Sequence, residues 1–244
     1  MAFLLVAVVT GLSACRTSGP SAATATTADA AHGRTTTTTA PLTKAQATQV
    51  ADAINLRPAD LPGYQTSPPD NGDGGNDATT DQLDSCANGA PQSATVADVS
   101  SDGFSQGTSL PEVQIESEVE AEQSAADAQT DLATIKTSTA RQCIVTFFQQ
   151  ELGTAVGNGA TISDVAMTPT ASSAPGADGS FGDVLSATMK VDGVSVGIDI
   201  AFDGFVDHNY EVELTSFGIG ESPPASTDQH LFGLLLSRAR SAVH

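Results

Sequence analysis

The chain has 244 residues, with 29 acidic side chains against 9 basic ones, a formal charge of −20, no tryptophan and two tyrosines. Such a field repels phosphate backbones and anionic headgroups, which argues against nucleic-acid binding and favours cationic partners. The length suits one domain with a sizeable core once any targeting segment is set aside.

The apolar run from Phe3 to Val9 is too short to span a bilayer and leads into Leu12-Ser13-Ala14-Cys15. That arrangement resembles the cleavage and lipid-attachment site of bacterial lipoprotein signal peptides. The resemblance implies removal of residues 1–14 and at least two acyl chains on Cys15, enough for stable anchoring at the outer face of the plasma membrane. Met1-Ala2-Phe3 carries no basic residue, so a translation start slightly upstream is expected. From Arg16 to Pro41 the chain is nearly all Thr, Ala, Ser and Gly, with no apolar side chain larger than alanine. It reads as a flexible tether of about 30 Å root-mean-square span, and residues 15–42 are assigned to it. Setting Cys15 aside leaves Cys86 and Cys143, an even pair that reads as one disulfide in an oxidising compartment, contributing roughly 4 kcal/mol.

A single domain is expected over 43–244. Thr43-x-x-Gln46 has capping-box form, Ala47, Val50, Ala51 and Ile54 share a helical face, and Pro58 is expected to end that helix. Then comes Leu56-Arg57-Pro58-Ala59-Asp60-Leu61-Pro62-Gly63-Tyr64, followed by Leu83-Asp84-Ser85-Cys86, a strand from Glu112 to Val119, and Ala140-Arg141-Gln142-Cys143. In this order the segments resemble the extracellular sensor domains of mycobacterial receptor-type Ser/Thr kinases and related small actinobacterial lipoproteins. The resemblance covers most of 43–244 and implies an α+β domain with helices packed on a twisted antiparallel sheet, without implying catalysis. It brings no kinase domain.

The remaining elements follow from periodicity. Asp81 to Asn88 reads as a short helix closed by Gly89, with Cys86 on its inner side. Val113, Ile115 and Val119 alternate with Gln114, Glu116, Glu118 and Glu120, the pattern of a strand with one wet face that Ser117 interrupts. Ala125, Ala128, Leu132 and Ile135 form one helical stripe; Ala140, Ile144, Phe147, Phe148 and Leu152 form another, ended by Gly153. Cys143 lies on the second, so the disulfide would staple two helices. A three-strand meander comes next: Leu185, Ala187, Met189 and Val191, a turn at Asp192-Gly193, then Val194, Val196, Ile198, Ile200 and Phe202. A second turn at Asp207-His208-Asn209 leads to Tyr210, Val212 and Leu214. The last helix is expected to start at Ser226-x-x-Gln229 and to bury Leu231, Leu234, Leu235 and Ala239, with Arg238 and Arg240 suiting its C-terminal dipole. The fold expected is two-layer α+β, a twisted antiparallel sheet with helices mainly on one face.

Candidate chemistry is sparse. Asp70, Asp73 and Asp77 lack the EF-hand spacing and read as a flexible acidic loop. Asp199, Asp203, Glu211 and Glu213 are expected to crowd one wet sheet face. Asp207-His208 reads as turn chemistry. No G-x-S-x-G or H-E-x-x-H occurs, and two tyrosines without tryptophan are poor material for a sugar cleft. No catalytic residue, metal or cofactor is expected. Two function classes follow: a noncatalytic binding or sensor domain for a small-molecule, lipid or protein ligand, and a carrier of lipid or another apolar ligand.

Overall fold

A computed structural model of the chain describes residues 42–69, 95–107, 111–155 and 160–243, with the backbone alone at 154 and 155. The signal segment, the tether, the Asp70 to Asp77 loop, the expected helix at Asp81 to Asn88 and Cys86 lie outside them.

Helix α1 (Lys44–Ile54) carries the expected capping box: the Gln46 N–H donates to Thr43 Oγ1 at 3.3 Å and the Thr43 N–H to Gln46 Oε1 at 3.1 Å. It ends at Ile54, before Pro58, because Asn55 turns extended and caps it. Pro58–Asp60 is instead a separate 3-10 turn. The strands are β1 (Gln65–Ser67), β2 (Thr95–Ser100), β3 (Gly103–Gln106) and β4 (Glu112–Glu122). Helices α2 (Ala125–Ile135) and α3 (Ser138–Ala155) follow, the latter running past Gly153. Then come β5 (Ala160–Pro169), β6 (Gly179–Val191), β7 (Val194–Asp207), β8 (Tyr210–Ile219) and α4 (Ala225–Val243). The start of α4 differs from the expected capping box at Ser226 and Gln229. Pro223 and Pro224 lead into it, and the Pro224 carbonyl accepts from the Thr227 N–H at 2.7 Å, so Ser226 already lies inside the first turn.

One antiparallel sheet runs β1-β3-β4-β8-β7-β6-β5, with β2 also paired to β4. β5 extends the expected three-strand meander to four. The α+β class and the antiparallel sheet are as expected, but the helices divide between the two faces. Consecutive residues of β8 show why: Tyr210, Val212 and Leu214 pack with α1 and α4, whereas Phe217 and Ile219 point the opposite way, into the α3 core. On the first face Ala47, Ala51 and Ile54 of α1 and Leu231, Leu235 and Ala239 of α4 cover Ile115, Val119, Val212 and Phe205. On the second, Ile144, Phe147, Phe148 and Leu152 of α3 cover Leu185, Ile198, Ile200 and Phe202, and Ala128 and Leu132 of α2 meet Val206. Burying each such large side chain contributes about 1.5–3 kcal/mol. Val191 and Val194, expected inward, flank the Asp192-Gly193 turn and are 37% and 64% exposed.

Ser117, the apparent flaw in the β4 apolar row, is 1% exposed and saturated with hydrogen bonds. Its hydroxyl donates to Asn55 Oδ1 (2.8 Å) and accepts from the Leu56 N–H (3.0 Å), while Asn55 Nδ2 donates to the Val99 carbonyl. This buried network fixes the end of α1 on the sheet and aims the next segment outward. Among the described residues no helix is long and apolar enough to cross a membrane.

Candidate binding groove

The chain after α1 is held at both ends. Leu56 and Leu61 are each 4% exposed, and between them the Arg57 N–H donates to Asp60 Oδ2 at 2.8 Å. Gly63, at φ +92°, turns the chain so that the Tyr64 N–H reaches the Leu61 carbonyl. Arg238 of α4 then clamps the segment. Its guanidinium donates to both Asp60 carboxylate oxygens at 2.8 Å and to the Asn55 carbonyl at 2.9 Å. Arg238 thus grips a neighbouring segment, in place of the dipole role expected for it.

A groove of about 440 Å3 opens between this segment and the start of α4. Asp60, Pro62 and Tyr64 form one wall, Ser226, Thr227 and His230 the other, and Leu61 and Leu231 the apolar floor. Burial, and then the charge of Asp228, raise the Tyr64 hydroxyl above its ordinary pKa, so it is a neutral donor. At Asp60 burial opposes ionisation, but the hydrogen bonds and charges of Arg238 and Arg57 outweigh it and hold the carboxyl below its usual value. Hydroxyls and an imidazole over an apolar floor, beside an Asp60 already paired with Arg238 and in a strongly acidic protein, suit a small amphipathic ligand, neutral or cationic. Among the described residues no carboxylate hydrogen-bonds the His230 imidazole, so nothing there orients it as a base toward Ser226 one turn away.

The carboxylates expected to crowd one face are divided. Asp207 pairs with Tyr210 across a two-residue turn, which places odd-numbered residues of β7 opposite even-numbered ones of β8. Asp199 and Asp203 therefore lie on the first face and Glu211 and Glu213 on the second. Near α4, Ser186 and Ser222 donate to Asp199 and Ser216 donates to Asp228. On the second face Glu118 and Glu120 of β4 stand opposite Glu213 and Glu211, with Asp98 of β2 opposite Glu120. Burial, and then the hydrogen bond and charge of Asp98 with Glu120 and Glu213 nearby, push Glu118 well above the usual carboxylate range. Burial is also the leading cause at Glu213, Asp203 and Asp228, all raised.

A carboxyl whose folded pKa is raised contributes stability that is full below its unfolded pKa and lost as the pH climbs through the folded value. The protein is accordingly expected to melt at a higher temperature near pH 5 than at neutral pH. Glu118→Gln should add up to about 1 kcal/mol at neutral pH and flatten that dependence. Thermal melts across the range check it; a midpoint that falls steadily on mild acidification would count against it.

Cys143 lies buried on α3. Its expected partner Cys86 and the lipidation candidate Cys15 lie outside the described residues. Tyr64, before β1, and His230, in α4, are far apart in the chain, so no local pattern in the sequence joins them.

These features define an α+β domain on an eight-stranded antiparallel sheet, with a groove where the segment after α1 meets the head of α4. The crystal structure of the extracellular domain of PknH from Mycobacterium tuberculosis is similar to it at 14% identity and a TM-score of 0.38, covering 82% of this chain and 98% of that one. No family model and no curated protein matches the chain.

Proposed function

We propose that this chain is a noncatalytic, extracytoplasmic binding domain of the sensor type, anchored by lipid on Cys15, with the groove at the head of α4 as its site. The observation that carries the binding role is that groove, whose hydrogen-bonding groups converge over an apolar floor on a rigidly clamped segment. Tyr64, Ser226, Thr227 and His230 offer more polar partners than an acyl chain uses, which favours a small amphipathic ligand over the carrier reading. Support for the anchor comes from Leu12-Ser13-Ala14-Cys15 after the apolar run and from the tether behind it. In this reading Cys86 and Cys143 form the disulfide that fastens α3.

Two measurements test the proposal. The full chain expressed in an actinobacterial host should partition into detergent, and Cys15→Ala should move it to the aqueous phase; a variant that stays in detergent contradicts the anchor. Ester, phosphate, glycoside and peptide substrates should show no turnover, and a turnover that follows the protein through purification contradicts the noncatalytic role.

A further inference from the structure

The groove at the head of α4 is lined by charge of one sign only. Of the eight residues around it, Asp60 alone carries a formal charge, and no lysine or arginine is among them. The Arg238 guanidinium behind Asp60 is spent on both of its carboxylate oxygens and on the Asn55 carbonyl, and Arg57 turns back to donate to the Ala53 carbonyl at 2.8 Å. Asp228, in the first turn of α4, brings a second carboxylate near the Tyr64 wall, close enough for its charge, after burial, to raise the Tyr64 hydroxyl. We infer that the groove takes a small organic ammonium, a protonated amine on an apolar body; the inference rests on the groove being the binding site.

The polar groups of the groove are unspent. Among the described residues nothing hydrogen-bonds the Tyr64, Ser226 and Thr227 hydroxyls or the His230 imidazole. Each has a lone pair to accept with, and an ammonium brings three N–H donors and no acceptor. Tyr64 also adds an aromatic ring to the wall, and a cation is drawn to the face of such a ring. Leu61 and Leu231, 4% and 1% exposed, give the apolar body its floor. A space of about 440 Å3 suits an organic molecule better than a bare ion.

The start of a helix carries partial positive charge, which by itself would favour an anion. Asp228 stands in that first turn and offsets it. Its carboxylate keeps its own partner, accepting from Ser216 Oγ at 2.7 Å, so it acts on a ligand through its charge and not by contact. The formal charge of −20 on the chain adds to the same attraction. A neutral ligand of the same shape gains the floor and the hydrogen bonds alone, whereas the ammonium also gains the attractions of charge and ring, about fivefold or more in affinity.

The test uses three ligands of one shape: cyclohexylmethylamine, which is protonated at neutral pH, cyclohexylmethanol and cyclohexanecarboxylate. Amide spectra of the isotope-labelled full chain should show saturable shifts at Leu61, Tyr64, Thr227 and His230 with the amine, binding of the alcohol at least about fivefold weaker, and no response to the carboxylate. Asp228→Asn keeps the shape and an acceptor for Ser216; it should weaken the amine at least about threefold and leave the alcohol unchanged, which also shows that the site is intact. Tyr64→Phe should keep the preference for the amine, and Tyr64→Leu should lose most of it. Nα-acetyl-lysinamide carries the same group on a peptide: binding tighter than the free amine assigns a protein side chain as its source, and weaker binding a free small molecule, each in support of the ammonium. Equal affinities for amine and alcohol at these residues, or tightest binding of the carboxylate, would overturn the inference and leave the groove standing. Silence at these residues with all three ligands would overturn both.

Discussion

Replacing Arg141 by alanine should lower the unfolding free energy by about 3–5 kcal/mol. Asp183 of β6 is fully buried, and Arg141 in the first turns of α3 meets it with Nε 2.6 Å from Oδ1. The same guanidinium donates through Nη1 to the Lys136 carbonyl, just before α3 begins, so one side chain ties a helix start to the sheet. Asp183 Oδ2 has no donor among the described residues. Removing the arginine therefore leaves a carboxylate inside the second-face core with neither charge partner nor solvent. The double variant Arg141→Met with Asp183→Leu separates this cause from lost packing, since replacing both members of a buried pair by apolar groups is often close to neutral. Denaturant unfolding gives the answer: a shifted midpoint at constant slope for Arg141→Ala, largely restored in the double variant. A loss below about 1 kcal/mol would mean that water reaches Asp183.

Arg238→Ala is the second large effect, about 2–3 kcal/mol, because three charge-assisted hydrogen bonds are lost together and the Asn55 carbonyl and Asp60 are left facing protein. Its consequence reaches the groove, since Asp60 is one wall of it. The pH signature is distinctive. Asp60 has a lowered pKa, so its stabilisation is present above the ordinary carboxylate value and lost as the pH falls through the folded one. Wild type should lose this contribution only below the ordinary carboxylate value, and the variant should lack that loss. Arg238→Lys, which keeps the charge but not the forked geometry, should recover only part of the stability. Equal stability of Arg238→Ala and wild type at neutral pH would show that the clamp contributes nothing.

Local chemistry in the chain revealed the elements that short-range patterns decide. The α1 capping box, the β4 alternation, the α3 stripe and the Asp192-Gly193 and His208-Asn209 turns were legible because each is decided within a few residues, whereas of the α2 stripe only Ala128 and Leu132 are buried and Ala125 is exposed. β5 was not, and the reason is geometric. Its register against β6 shifts between Ser163 and Ala166, with Asp164 at φ +55°, so the inward side chains Ile162, Val165 and Met167 change parity across the bulge. β2 carries a similar shift between Thr95 and Ala97. The division of helices between the faces was hidden because every β8 residue from Leu214 to Ile219 is buried, which removes the wet face that alternation relies on. The groove depends on a pair far apart in the chain, Tyr64 with His230, and no local pattern encodes such a meeting.

The most direct measurement of the binding role is a set of amide spectra of the isotope-labelled full chain, recorded with a panel of amino sugars, short cationic peptides and small carboxylates. The amino sugars and cationic peptides should shift the resonances of Leu61, Tyr64, Thr227 and His230 together, carboxylates should not, and Tyr64→Ala should abolish the response while leaving the rest of the spectrum in place. Shifts that leave these residues untouched and gather elsewhere on the domain would contradict the account.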